Sequence, residues 1–270
     1  MARVAVVGNL SLDVVDAGEP SAGGCPTFAA EAFRRLGVSG QIVTRFGEQD
    51  RGLFRPALDD LDVTVTLLPA TETTSFAMEY DGDTRSMRVA ALGETWQPED
   101  VAVLESDVDW VHVAPLLRGD FSPSVLEAFA RGRRVSLDGQ GLVRLRQLGP
   151  LRRDADYPPS LLSCVTALKL SEQEAQVVAG GHFGQGDAAA LGVPEVLLSL
   201  GSRGVIVFAG DAESFVPASP VREVHATGAG DTFMVGYAAA RAEGHEPVEA
   251  AKLACALVTD ILEARRLEGA

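Results

Sequence analysis

Short apolar runs rich in valine, isoleucine and leucine recur along the chain. Longer stretches with apolar residues every three or four positions separate them. Arg3–Val7, Gln41–Phe46, Trp110–Val113, Arg134–Leu137, Val165–Leu168, Glu195–Leu200 and Val205–Phe208 have the length and continuity of buried strands. Between them, Ala29–Leu36, Leu53–Leu61, Pro123–Ala130, Glu172–Ala179, Gly228–Arg241 and Val248–Leu262 carry the helical period. Strands alternating with helices predict a mostly parallel central sheet covered on both faces, a three-layer α/β/α sandwich.

The stretch from Asp62 to Leu92 breaks this rhythm. Val63-Thr64-Val65-Thr66 and Thr73–Tyr80 alternate polar with apolar, Asp81-Gly82-Asp83 reads as a turn, and Arg85–Ala90 returns. A small antiparallel β lid over 62–92 is expected, joined by residues near 10–16, on a core of 1–61 and 93–270. Long excursions of this kind serve as lids or pairing surfaces more often than as plain edge hairpins. Pairing of two copies through the lid is therefore expected.

Composition narrows the partners. The 270 residues are 46% hydrophobic and 23% charged, enough apolar mass for a large core and too much for disorder. With 38 acids against 23 basic residues, a formal charge of −15 disfavours nucleic acid and anionic membranes. Cys25, Cys164 and Cys255 lie far apart, unlike a zinc site or a disulfide framework, and fit a reducing compartment. The apolar run after Met1 is too short for a signal peptide, so a soluble cytoplasmic protein is expected. Only Lys169 and Lys252 are lysines, and neither follows a glycine, so no P-loop is present. Gly-x-Gly-x-x-Gly after the first strand, His-Glu-x-x-His and Gly-x-Ser-x-Gly are absent as well.

The chemistry-bearing segment is Thr227-Gly228-Ala229-Gly230-Asp231, which leads into an apolar helix. Small residues at a helix start leave N–H groups uncovered where the helix dipole favours an anion, and Asp231 can serve as a base beside that anion. Taken alone, the segment reads equally as a glycine-rich loop whose acid complements the dipole.

An ordered set of motifs identifies the chain as resembling the ribokinase-like carbohydrate kinases, the PfkB family. Gly228-Ala229-Gly230-Asp231 matches its C-terminal signature, and Gly23-Gly24-Cys25-Pro26 through Arg35-Leu36-Gly37 its N-terminal one. Gly8 with Asp13, Phe46-Gly47 with Gly52, and Ser199-Leu200-Gly201 with Gly204 keep the family's order. The resemblance implies a ribokinase-like fold and ATP- and Mg²⁺-dependent phosphorylation of an alcohol group of a small sugar or polyol. It makes Asp231 the general base and the amides of Gly228, Ala229 and Gly230 the anion hole. Asp13 with Gly23 and Gly24 would hold the sugar. Glu174, in Ser171-Glu172-Gln173-Glu174, would organise Mg²⁺, although the same residues also read as a capping box. Lys169, Ser171, Ser199, Gly201, Gly204, Thr227, Ala254 and Val258 would line the nucleotide site; a solvated lysine at 169, and core residues at 254 and 258, are the plain alternatives.

Some positions depart from the family pattern. His225-Ala226 replaces Asp-Thr, Phe28 stands where many members place asparagine, and Ser171 replaces the asparagine of Asn-x-x-Glu. Asp138-Gly139-Gln140-Gly141 with Arg144, and Thr74–Arg88, look most like the inositol and polyol kinases. Arg88 and Arg144 are therefore expected at the substrate. His112, His182 and His245 read as structural. A nucleoside kinase, with Phe28 or Phe76 stacking a base, and a retired sugar-binding sensor remain rival readings.

Overall fold

The computed structural model describes residues 3–59, 63–81, 84–219, 221 and 226–268. His225 and the Gly82-Asp83 step lie outside the described residues. Along the chain run β1 (Arg3–Val7), β2 (Ser11–Val15), β3 (Ser21–Gly23), α1 (Cys25–Leu36), β4 (Gly40–Arg45), α2 (Arg51–Asp59) and β5 (Thr64–Leu68). Next come β6 (Thr74–Asp81), β7 (Thr84–Ala91), β8 (Val108–Val113), α3 (Pro123–Phe129), β9 (Arg134–Asp138), α4 (Gln140–Val143) and β10 (Gly149–Pro150). The last third holds β11 (Ala167–Ser171), α5 (Glu172–Ala179), α6 (Gln185–Ala190), β12 (Glu195–Ser199), β13 (Gly204–Ala209), β14 (Ala212–Pro217), α7 (Ala229–Ala242) and α8 (Pro247–Glu268).

The large sheet has nine strands in the order β14-β13-β12-β11-β9-β8-β1-β4-β5. Its pairings are parallel from β12 through β5, and β13 and β14 add an antiparallel hairpin at one edge. Alternate residues of each strand serve opposite faces. Val4, Val6, Ile42, Trp110 and Leu197 pack with residues of α1, α7 and α8, whereas Ala5, Val7, Val43, Val111 and Leu137 pack with α3 and α5. The strand order reverses around β1, which opens a crevice at the C-terminal ends of the strands.

Local signals fix several helix ends. Ser171 accepts from the Glu174 N–H while Glu174 accepts from the Ser171 N–H, and Gly180 closes α5 in the left-handed conformation. Pro26 sits in the first turn of α1, and Gly37 ends that helix at φ 63°.

The smaller sheet, β10-β7-β6-β2-β3, covers the crevice. Its makeup corrects the expected boundary. Thr64–Leu68 belongs to the large sheet, parallel to β4, rather than to the lid. The lid is built from β2, β3, β6, β7 and the two residues of β10, and β2 pairs with β6 in parallel. Phe76, Met78 and Val89 on its inner face pack on Leu116 and Leu117 of the core.

Candidate active site

A cavity of about 460 Å³ lies between the lid and the C-terminal ends of the large sheet's strands. Its lining is mixed, with the polar Ser11, Asp13, Gln140, Arg144 and Asp231 and the apolar Phe28, Phe76, Met78, Met87 and Leu116. The volume suits a single sugar or polyol ring, and the mixed lining suits its hydroxyls and C–H faces. Asp13 comes from β2, which follows directly on β1. A methyl group at Gly23, on the neighbouring β3, would overlap the Asp13 carboxylate, so only glycine lets the two strands close around it.

Gly228 is the N-cap of α7 at φ 79°, and a Cβ there would overlap the Phe28 ring. Both constraints demand glycine. The Ala229 N–H closes a turn on the Ala226 carbonyl at 3.1 Å, so the expected three-amide anion hole is reduced in this conformation. Gly228 and Gly230 donate to no backbone carbonyl among the described residues. They stand at the start of a 14-residue helix, where an anion is favoured.

Asp231, in the first turn of α7, is half-buried and borders the cavity. Burial first, and then the neighbouring Asp138 carboxylate, push its pKa up to about 7; Lys169, a hydrogen bond from Cys25 and Arg144 act in the opposite direction. The Cys25 thiol is itself pushed well above its ordinary value by burial, reinforced by the charges of Asp231 and Asp138, so it remains a protonated donor.

Lys169 is neither solvated nor isolated. Its Nζ lies 3.1 Å from Asp138 Oδ1, and a Cβ on Gly230 would stand 3.1 Å from the same Nζ. The ammonium therefore sits against the Gly228–Gly230 turn. Burial alone would lower its pKa, but the carboxylates of Asp138, Glu174 and Asp231 outweigh that and hold it above the ordinary lysine value. His112 also reaches this cluster, with Nε2 3.7 Å from Asp138 Oδ2 and Nδ1 3.0 Å from Ser136 Oγ. Its acid partner arrives from the adjacent strand. Burial depresses its pKa, so it stays neutral and structural at ordinary pH.

Glu174 is buried, with Oε2 2.9 Å from the Ser171 nitrogen, and its charge is felt at Lys169. Among the described residues no group of three or more His, Cys, Asp or Glu could hold a metal ion. A single buried carboxylate such as Glu174 could hold a magnesium ion through the ion's own waters.

The family pattern "pfkB family carbohydrate kinase" matches residues 4–259. The chain belongs to this family. A fructokinase of Klebsiella pneumoniae is 30% identical over 274 residues, covering 93% of this chain and 88% of that protein. A pyrophosphate-dependent kinase of the ribokinase family, complexed with a pyrophosphate analogue and myo-inositol, superposes with a TM-score of 0.83 at 24% identity, over 96% of this chain and 95% of that one. An Arabidopsis thaliana ribokinase complexed with ribose and ATP superposes with a TM-score of 0.71 at 23% identity, over 97% of this chain and 93% of that one. The protein is a sugar kinase with the ribokinase-like fold.

The remaining expected site positions of this PfkB kinase divide. Asp13, Gly23, Gly24, Phe28, Arg144, Thr227, Gly228 and Asp231 all border the cavity. Arg88 does not. It alternates with Met87, which faces the cavity, and with the buried Val89, so its side chain points to the outer face of the lid. On the expected nucleotide side, the Ser199 hydroxyl donates to the Leu170 carbonyl at 3.2 Å, and Gly201 turns at φ 61° with open space beside it. A Cβ at Gly204 would overlap the Val216 carbonyl, which makes Gly204 a strand-packing position. Ala254 is fully buried against Gly236, where α8 crosses α7, and Val258 packs half-buried on the same side. Cys25 and Asp138 carry no catalytic role in the sequence reading, because the cluster they form with His112, Lys169 and Asp231 is assembled from five separate elements.

Proposed function

We propose that this kinase transfers a phosphoryl group from Mg²⁺-ATP to a hydroxyl of a small sugar or cyclic polyol. The observation that carries the reading is Asp231, half-buried in a ring-sized cavity that Asp13 also lines, beside the amides of Gly228 and Gly230. Asp13 and Arg144 hold substrate hydroxyls. Asp231 takes the proton of the attacking hydroxyl as the new O–P bond forms and the bond to the leaving phosphate breaks. The amides of Gly228 and Gly230, with the Lys169 ammonium behind them, stabilise the charge on the transferring group. Glu174 would hold a magnesium ion through its waters when the donor is bound, and the ion would supply charge neutralisation. The site therefore works by positioning and electrostatics, with Asp231 as the only proton carrier.

A pyrophosphate donor is the second reading. Ala254 and Gly204, two positions expected at the nucleotide site, are taken up in packing here, while the residues around the transferring phosphate stay in place. A solved relative described as pyrophosphate-dependent shares this fold. We also place the enzyme in the cytoplasm, in keeping with its three free cysteines, and expect two copies to pair through the lid.

A coupled assay of the purified protein tests the reading, with ATP or pyrophosphate, Mg²⁺, and a panel of pentoses, hexoses, inositols and nucleosides. Turnover of a sugar or polyol is expected. Saturable sugar binding without turnover with either donor would instead favour a sensor, and turnover restricted to nucleosides would reassign the substrate class.

A further inference from the structure

Arg265, near the end of α8, joins three parts of the molecule. Its Nη1 donates to the Thr227 carbonyl at 3.0 Å, and its Nη2 donates to Glu31 Oε2 on α1 at 2.7 Å. Its Cζ lies 5.7 Å from the centroid of the Phe28 ring, within cation–π range. Phe28 is the ring that fills the space a side chain at Gly228 would need.

The Thr227 carbonyl and the Gly228 N–H belong to one planar peptide unit and point in opposite directions. A donor that fixes the carbonyl therefore fixes the direction of that N–H. A cation on the carbonyl also polarises the unit and makes its N–H a stronger donor. Gly228 needs such a restraint, because glycine explores more backbone conformations than any other residue. With the Ala229 amide committed to Ala226, the Gly228 N–H donates to no backbone carbonyl among the described residues.

We propose that Arg265 is a positioning residue for phosphoryl transfer, aiming the Gly228 N–H at the transferring group and holding the Phe28 wall of the sugar cavity against the same turn. The proposal rests on the reading of Gly228–Asp231 as the transfer site. Arg265 never touches the substrate; it acts through the peptide it grips. About a quarter of its side chain and of Glu31's is exposed, so substitution at either leaves the core intact.

Steady-state kinetics and thermal melting of the full chain test it, using Arg265→Met, Arg265→Lys and Glu31→Gln. Arg265→Met is expected to lower kcat roughly tenfold, a fraction of the ~100-fold or larger effect of deleting an oxyanion donor outright. The sugar KM should move less than about threefold, because Asp13 and Arg144 are untouched. Arg265→Lys should recover part of the loss, since one ammonium can still reach the carbonyl. Glu31→Gln should lower the melting temperature and leave kcat within about twofold. If Arg265→Met melts lower yet keeps wild-type kcat below its transition, the guanidinium is only a structural tie and the proposal is overturned. The failure of the underlying reading looks different: Asp231→Asn would then retain turnover. An inactive Asp231→Asn beside a fully active Arg265→Met sinks the positioning role alone.

Discussion

The Nζ of Lys169 lies 3.1 Å from Oδ1 of Asp138, and this buried pair stands directly behind the turn that carries Asp231. The pair has two consequences of opposite sign. Asp138 makes Asp231 harder to ionise, and Lys169 makes it easier. Burial raises the Asp231 pKa most, Asp138 adds to it and Lys169 offsets part of it, so the carboxyl is pushed up to about 7.

The first prediction is a pH profile. With the Asp231 pKa pushed up to about 7, kcat/KM for the sugar should rise with pH through that value and level off above it. Stability should run the other way. A carboxyl with a folded pKa above its unfolded value binds its proton more tightly in the folded state, so its contribution falls as pH rises between the two values. Asp231→Asn should therefore melt higher than the wild type at pH 8 and differ little at pH 4, as read by thermal denaturation at both pH values.

Breaking the pair tests its electrostatic role. Asp138→Asn leaves the Lys169 ammonium buried without its nearest partner and should cost about 3 kcal/mol in denaturant unfolding. It also removes the negative charge beside Asp231, so the acid limb of the kcat/KM profile should move to lower pH. An acid limb that stays in place would show that Asp138 does not act on the base.

Much of this architecture was legible along the chain, and the misses have physical causes. Glu172–Ala179 has the bounds the sequence predicts; the Ser171–Glu174 capping box marks its start, and in the structure Gly180 closes its end. Thr64–Leu68 was assigned to the lid because alternation shows that one face is half-buried, not which sheet does the burying. The β14 edge strand went unread, since Ala212–Pro217 is mostly exposed and lacks a clear apolar run. Asp231 and Gly228 stood out through their local spacing. Lys169 stood out as well, as one of two lysines, but its clustering with Cys25 and Asp138 could not, because the three come from β11, α1 and β9.

Two arginines separate the faces of the lid and core. Arg144→Met should raise the sugar KM roughly tenfold by removing a charged donor from the cavity. Arg88→Ala, on the outer face, should leave kcat and KM within about twofold. Kinetics on the best panel substrate check both. A large KM effect at Arg88 alone would mean that the lid turns its other face to the substrate.

The outer face of the lid also bears on assembly. Leu12 and Val14 of β2 and Ala77 of β6 alternate with the cavity-facing Asp13, Val15, Phe76 and Met78, so they lie on that face. Sedimentation at micromolar concentration should show a dimer, which Leu12→Asp with Val14→Asp should convert to monomer. A wild-type monomer under these conditions would count against pairing through the lid.

The most direct test of the account is turnover by Asp231→Asn on a sugar or polyol that the wild type phosphorylates, with sugar binding measured in parallel by calorimetry. Loss of the base should reduce kcat by at least about 100-fold while sugar affinity stays within a few-fold. Near-wild-type turnover would contradict the assignment of Asp231 as the base.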